Sequence, residues 1–313
     1  MHFNSLLTAA VMVGSSVTAV MAAPQAAAAP AVKYMTGLNL GTNTKSGACK
    51  TQADWEADFK AIKVDYSKGL NYQWDHVKLF TTNDCNALDH AVPAALKVGM
   101  KIWAGVWAHD GNKFNAEKGA LESAIKKYGD ATKWLAGINV GSESLYRKEM
   151  PAWTLAERIY DVKGMVQIAY GLKTIPVGTA DTWTSWEHPD NKPVIDAVDV
   201  VLMNGFPYWE GATVAQGLDK LKEAIAKTKA HTGSKPFVIG ETGWPTFGPK
   251  FGSATASKAN AQAYWKAAGC YLISQQIPFF WFSAFNEPKR ESVIEQNFGV
   301  GYSNRVLFVD FKC

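Results

Sequence analysis

The sequence lacks most of the short motifs that advertise a reaction. No Gly-x-Ser-x-Gly turn occurs, which argues against a serine-hydrolase elbow. No glycine-rich phosphate loop follows the first apolar run and no Gly-Lys-Ser/Thr exists, so nucleotide binding has no anchor. No His-x-x-x-His pair or dense Asp/His cluster is present, and no two cysteines lie close together; catalytic metal, zinc and CxxC redox chemistry are disfavoured together. Like charges never run together: 32 basic residues are scattered among 28 acidic ones for a net charge of +4, which is not the footprint of a nucleic-acid surface. No Asn-x-Ser/Thr sequon is found. No apolar run approaches the roughly 20 residues of a membrane span.

Residues 1–22 lack Lys, Arg, Asp and Glu altogether. They carry an apolar stretch, Leu6 to Val13, and small residues near Ala22, the pattern of a cleaved secretory signal. Residues 23–33, rich in Ala and Pro, read as a short tether. Secretion gives the four cysteines a role as two disulfides. Three pairings are possible; Cys49–Cys85 with Cys270–Cys313 is favoured, because the first two follow neighbouring strands and the last two lie near the C-terminal end. The localisation expected is therefore extracellular, with no membrane contact after signal cleavage; the chain is also expected to be a monomer.

What the sequence has in abundance is apolar and aromatic material. Hydrophobic residues make up 47% against 19% charged, enough for a large core, and 12 Trp, 11 Tyr and 15 Phe suggest flat ligand surfaces beside it. Short apolar runs alternate with amphipathic stretches. Strands are predicted at Tyr34–Leu40, His76–Phe80, Lys101–Trp107, Leu135–Val140, Thr174–Gly178, Asp199–Met203, Pro236–Ile239 and Pro278–Phe282. Helices are predicted at Gln52–Lys68, Ala87–Val98, Glu117–Lys127, Leu155–Tyr170, Val214–His231 and Ser257–Gln275. The strands are apolar on both faces, as in a covered parallel sheet. Residues 34–313 thus form one (β/α)8 TIM barrel of the α/β class. The last unit is irregular: no long eighth helix fits after Phe285, and a final β-like run, Val306–Val309, is expected to close the bottom.

In such a barrel, function collects at the C-terminal strand ends. There the sequence offers carboxylates, amides and indoles. Glu143 and Glu241 stand out, each following an apolar strand and a Gly-containing turn. Paired carboxylates with tryptophans suit glycoside hydrolysis: one acid protonates the leaving oxygen, the other attacks or activates water, and indole faces stack on sugar C–H faces.

Several segments carry a family likeness: Val140-Gly141-Ser142-Glu143-Ser144-Leu145-Tyr146-Arg147, Val177-Gly178-Thr179-Ala180-Asp181-Thr182-Trp183, Asn204-Gly205-Phe206-Pro207-Tyr208-Trp209 and Ile239-Gly240-Glu241-Thr242-Gly243-Trp244-Pro245-Thr246. By these the sequence resembles glycoside hydrolase family 17, in its secreted fungal cell-wall branch of β-1,3-glucanases and glucanosyltransferases. The resemblance implies a retaining mechanism with Glu143 as acid/base and Glu241 as nucleophile, no cofactor and no metal, and β-1,3-glucan as the partner. It also implies a cleft built from Asn39, Trp107, Asp181, Trp183, Asn204, Phe206, Tyr208, Trp244 and Glu287. The sequence departs from the family pattern in three places. Ser142 stands where many members have Asn. Strand 2 reads Lys78-Leu79-Phe80-Thr81 where Arg-x-Tyr-Gly is common. Ser283 and Asn286 replace two acids of the last strand motif. Three readings follow: a β-1,3-glucan hydrolase, a glucanosyltransferase using the same intermediate, and a non-catalytic wall glucan-binding protein.

Overall fold

A computed structural model of the chain describes Pro30 and residues 32–313. The expected signal segment and most of the expected tether lie outside the described residues. Eight parallel strands close in sequence order into a barrel, with β1 pairing β8. They are β1 Thr36–Leu40, β2 His76–Leu79, β3 Lys101–Val106, β4 Leu135–Ser142, β5 Val177–Thr182, β6 Val200–Asn204, β7 Phe237–Thr242 and β8 Phe279–Trp281. The helices are α1 Gln52–Lys60, α2 Ala87–Val98, α3 Gly111–Lys127, α4 Ala152–Lys163, α5 Trp183–Glu187, α6 Lys192–Ala197, α7 Gly217–Thr232, α8 Lys258–Tyr264 and α9 Cys270–Ser274. π-helical turns extend α1 and α4 and join α8 to α9.

The apolar strands divide by parity into two cores. Leu38, Val77, Ile102, Ile138, Val177, Val201, Ile239 and Phe279 pack outward against the helices. Met35, Trp103, Ala180, Val200, Leu202, Val238 and Phe280 fill the lower interior, with Val32 packed against them. The end of the expected tether thus has a packing role under the barrel. The interior changes character upward. Its next inward positions carry Asn39, Lys78, Asn139 and Asn204, all buried polar groups. A polar layer above an apolar plug is costly unless its groups are paired, so it marks where chemistry is placed.

Two strands break register, and each leads to a glutamate: Glu143 directly follows β4, and Glu241 is the penultimate residue of β7. On β4, Asn139 pairs Gly178 while Ser142 pairs Ala180, so β4 holds one extra residue. On β7, Met203 of β6 pairs Ile239 while Asn204 pairs Glu241, so β7 holds one extra residue at Gly240. A bulge turns the following side chain to the other face of a strand. The glycines permit this, Gly240 directly before Glu241 and Gly141 two residues before Glu143. Gly141 sits at φ +77°, and a side chain on Gly240 would meet the Asn204 Oδ1 at 2.7 Å.

Both disulfides join the favoured partners, Cys49–Cys85 and Cys270–Cys313. Three parts of the sequence reading are revised. The fifth strand begins three residues later than Thr174, and the segment after it coils into α5 and α6, too short to show helical periodicity. Helix α3 starts at Gly111, capped by the Asp110 side chain on the Lys113 N–H. The C-terminal run does not close the bottom. It descends outside β8 and β1 in the place of an eighth helix. Arg305 pairs with Asp58 of α1 at 2.6 Å, the Asp310 N–H donates to Gln262 of α8 at 2.7 Å, and Phe311 packs among Tyr66, Trp74 and Trp265.

Candidate active site

The bulges bring Glu143 and Glu241 to the same mouth of the barrel, linked through β6. The Asn204 Nδ2 donates to Glu143 Oε1 at 3.0 Å, while the neighbouring Gly205 N–H donates to the Glu241 carbonyl at 2.9 Å. Asn204 is itself buried and passes over Gly240 to reach Glu143.

The two carboxylates have different company. Glu241 Oε1 lies 2.8 Å from Lys78 Nζ, and the Lys78 side chain has no exposed surface. The lysine comes from the strand 2 departure noted above, and its ammonium approaches the Phe80 ring at 4.9 Å. Glu143 holds a left-handed backbone, φ +57°, and its N–H donates to the Ala180 carbonyl at 2.7 Å. Its second oxygen meets Arg147 Nη1 at 3.1 Å. Burial, and then the negative charge of Glu241, push the Glu143 carboxyl up to about 7; the Asn204 and Arg147 hydrogen bonds act the other way. A group poised near neutrality can give and take a proton.

The turn carrying Glu143 is held from below by Asp181. Its Oδ2 accepts from the Leu145 N–H at 2.9 Å; its Oδ1 accepts from Thr182 at 2.8 Å and Tyr146 at 3.3 Å. Burial raises the Asp181 carboxyl above the ordinary range, while the Ser185 side chain and these backbone donors counteract it. Asp181, expected to bind sugar hydroxyls, therefore has both oxygens engaged by backbone and no surface open to a ligand. Tyr208 and Trp244 are likewise sealed: the Tyr208 hydroxyl donates to the Pro249 carbonyl and the Trp244 indole to the Thr255 carbonyl at 3.0 Å. These rings pin the long β7–α8 connection onto the β6–α7 connection instead of facing the cleft. Asn39 is also buried, its amide on the Gly240 carbonyl at 3.3 Å.

Trp107, Trp183, Phe206 and Glu287 keep open surface. Phe206 stands edge-on to Phe282 and Phe298. Trp183 has Lys227 over its ring at 4.3 Å and its indole N–H on Glu210. Trp107 and Glu287 line a cavity of about 670 Å³ with Phe80, Asn43, Asp84 and Lys289. Its wall is fixed by the Cys49–Cys85 bridge and by Lys50, which donates to the Gly41 carbonyl and pairs with Asp58 at 2.8 Å.

Sequence reasoning missed Lys78, Arg147 and Glu117 as site residues. Glu117, buried on α3, holds the loop after β2 by accepting from the Thr82 N–H at 2.6 Å and the Thr81 hydroxyl at 2.5 Å. A lysine inside an otherwise apolar strand was the available signal for Lys78. The four-residue spacing from Glu143 was the signal for Arg147.

Residues 37–301 match the family described as the BtgE/BtgC glycoside hydrolase domain. The chain is 36% identical over 285 residues to a glucan 1,3-β-glucosidase of Schizosaccharomyces pombe, with 88% of this chain and 85% of that one covered. To a glucan 1,3-β-glucosidase of Saccharomyces cerevisiae it is 33% identical over 293 residues, covering 88% and 90%. Among solved structures it is similar to a glycoside hydrolase family 17 β-1,3-glucanosyltransferase from Rhizomucor miehei, at 32% identity and TM-score 0.78, covering 90% of this chain and 98% of that one.

Proposed function

The chain belongs to glycoside hydrolase family 17, in its BtgE/BtgC branch, and from that premise we propose that it is a retaining β-1,3-glucan hydrolase with Glu143 as acid/base and Glu241 as nucleophile. The observation that carries this reading is the pair of bulge-aimed glutamates joined by Asn204 but differently surrounded. One is ion-paired to a buried lysine; the other is pushed up to about 7 by burial and by its neighbour's charge.

In the first step a Glu241 carboxylate oxygen bonds to the anomeric carbon. The bond to the glycosidic oxygen breaks, its electron pair stays on that oxygen, and the Glu143 proton moves there. The Glu241 carboxylate is now an ester without charge, so the repulsion that raised Glu143 is removed and Glu143 serves as base. In the second step water gives a proton to Glu143, its oxygen bonds to the anomeric carbon, and Glu241 leaves as carboxylate. Two inversions give net retention. Trp107 and Glu287 along the cavity, with Phe206 across the mouth, would hold the glucan chain.

A second reading, glucanosyl transfer, is favoured by the likeness to the Rhizomucor miehei enzyme. Here a sugar hydroxyl replaces water in the second step. The two disulfides support an extracellular or cell-wall location, and among the described residues no helix is long and apolar enough to cross a membrane.

Product analysis on reduced laminari-oligosaccharides, beside Glu241→Gln, tests both readings. Only shorter chains from the wild type mean hydrolysis. Longer chains appearing early at high substrate mean transfer. A wild type as inert as the variant, yet able to bind laminarin, would leave a glucan-binding protein.

A further inference from the structure

Glu143 carries hydrogen bonds on both oxygens, and the two donors are not equivalent. Asn204, on Oε1, is buried and locked at the end of β6. Arg147, on Oε2, lies on the turn after β4 with 40% of its side chain exposed. Its guanidinium folds back over the turn, also donating to the Ser142 carbonyl and pairing with Glu149 at 2.8 Å. A guanidinium only donates, so it suits the ionised carboxylate and cannot face an oxygen that carries a proton toward a ligand. To protonate a leaving oxygen, Glu143 must free one carboxylate oxygen. Releasing Oε1 would orphan a buried amide; releasing Oε2 frees a half-exposed guanidinium that solvent and its Glu149 partner can satisfy.

We propose that Arg147 belongs to the leaving-group side of the site. In the free enzyme its guanidinium occupies Glu143 Oε2. The glycosidic oxygen of a bound chain displaces it, and the freed guanidinium hydrogen-bonds hydroxyls of the departing glucosyl unit, or of an incoming one in the reverse direction. This rests on the acid/base reading of Glu143. Arg147 is the residue of this turn that hydrogen-bonds the Glu143 carboxylate.

The test compares two leaving groups. Laminaritetraose leaves a sugar behind; 2,4-dinitrophenyl β-laminaribioside leaves a phenolate that needs neither a proton nor a sugar contact. For Arg147→Ala, kcat/KM on laminaritetraose should fall about tenfold more than on the dinitrophenyl glycoside. Arg147→Lys, which keeps a donor and the charge, should recover part of that difference. The high-pH limb of kcat/KM on laminaritetraose should move upward in Arg147→Ala, because a cation that favours the ionised acid is gone. Equal losses on both substrates in Arg147→Ala and Arg147→Lys, or no loss on laminaritetraose, would overturn the proposal. Glu143→Gln separates the underlying reading. It should abolish laminaritetraose cleavage but keep a burst of dinitrophenolate. If it cleaves laminaritetraose normally, the acid/base assignment falls; if that control behaves and Arg147→Ala shows no split, only the Arg147 proposal falls.

Discussion

At the end of β4, Glu143 faces an uncharged amide and a half-open guanidinium; at the end of β7, Glu241 faces an ammonium sealed from solvent. The backbone device is the same on both sides: one extra residue, a glycine, and a glutamate turned inward. What differs is the partner that another strand supplies. Identical side chains acquire different surroundings because β2 places a lysine opposite one while β6 places an asparagine opposite the other. The contrast also separates what is fixed from what can move. Lys78 has nowhere to go, whereas Arg147 borders solvent.

The comparison breaks most visibly if the two glutamates are interchangeable. Glu241→Gln should lower kcat on laminari-oligosaccharides by about 10⁴-fold or more with the fold intact by circular dichroism. The azide rescue of alanine variants sorts the roles by stereochemistry. Azide entering in place of Glu241 should give an α-glycosyl azide, and azide intercepting the glycosyl-enzyme of Glu143→Ala a β-glycosyl azide. The opposite products would exchange the assignments.

Next in size is the ion pair. Lys78→Met removes the partner of a carboxylate whose side chain is only 9% exposed. Breaking such a pair leaves an uncompensated charge and should cost about 3 kcal/mol of stability, with a matching loss of activity. Chemical denaturation of Lys78→Met beside Lys78→Arg measures it. A methionine variant as stable as the wild type would mean that the pair contributes nothing to holding Glu241.

The barrel and the two glutamates were legible in the sequence, whereas the different partners of those glutamates were not. Apolar strands at regular spacing pointed to eight β/α units, and a Gly-containing turn before a glutamate at two strand ends singled out Glu143 and Glu241. The disulfides followed from chain position. The cleft was harder to read, because an aromatic residue after a strand has two fates. Phe206 stays half-open, whereas Tyr208, two residues on, is sealed by the β7–α8 connection. That outcome depends on how two loops pack, and no local pattern encodes it. Asp181 misled for the same reason: a carboxylate at a strand end can bind a ligand or three backbone N–H groups, and only the path of the following turn decides. The bulges were invisible too, since periodicity does not register one extra residue at a strand terminus.

Asp181 sharpens the β4 side specifically. Asp181→Asn keeps the volume but replaces one acceptor oxygen with a donor that faces a backbone N–H. The turn from Ser144 to Arg147 should relax and misplace Glu143, lowering kcat about 10–100-fold with little change in KM. A loss confined to KM would instead return Asp181 to a sugar-binding role.

The smallest effect concerns stability. Glu143 has its folded-state carboxyl raised from 4.5 to about 7. A raised carboxyl means that the folded protein prefers the protonated form, so its favourable contribution is complete at low pH and is lost as pH rises through about 7. Above that, the fold carries a buried charge that the unfolded chain would solvate. Glu143→Gln removes the charge while keeping the shape and the Asn204 contact. Its Tm should therefore exceed that of the wild type by about 2 °C at pH 8, with a smaller difference at pH 5. Calorimetry at the two pH values measures this, and a gain of the same size at both would mean that packing around Glu143, not its ionisation, sets the difference between the two strand ends.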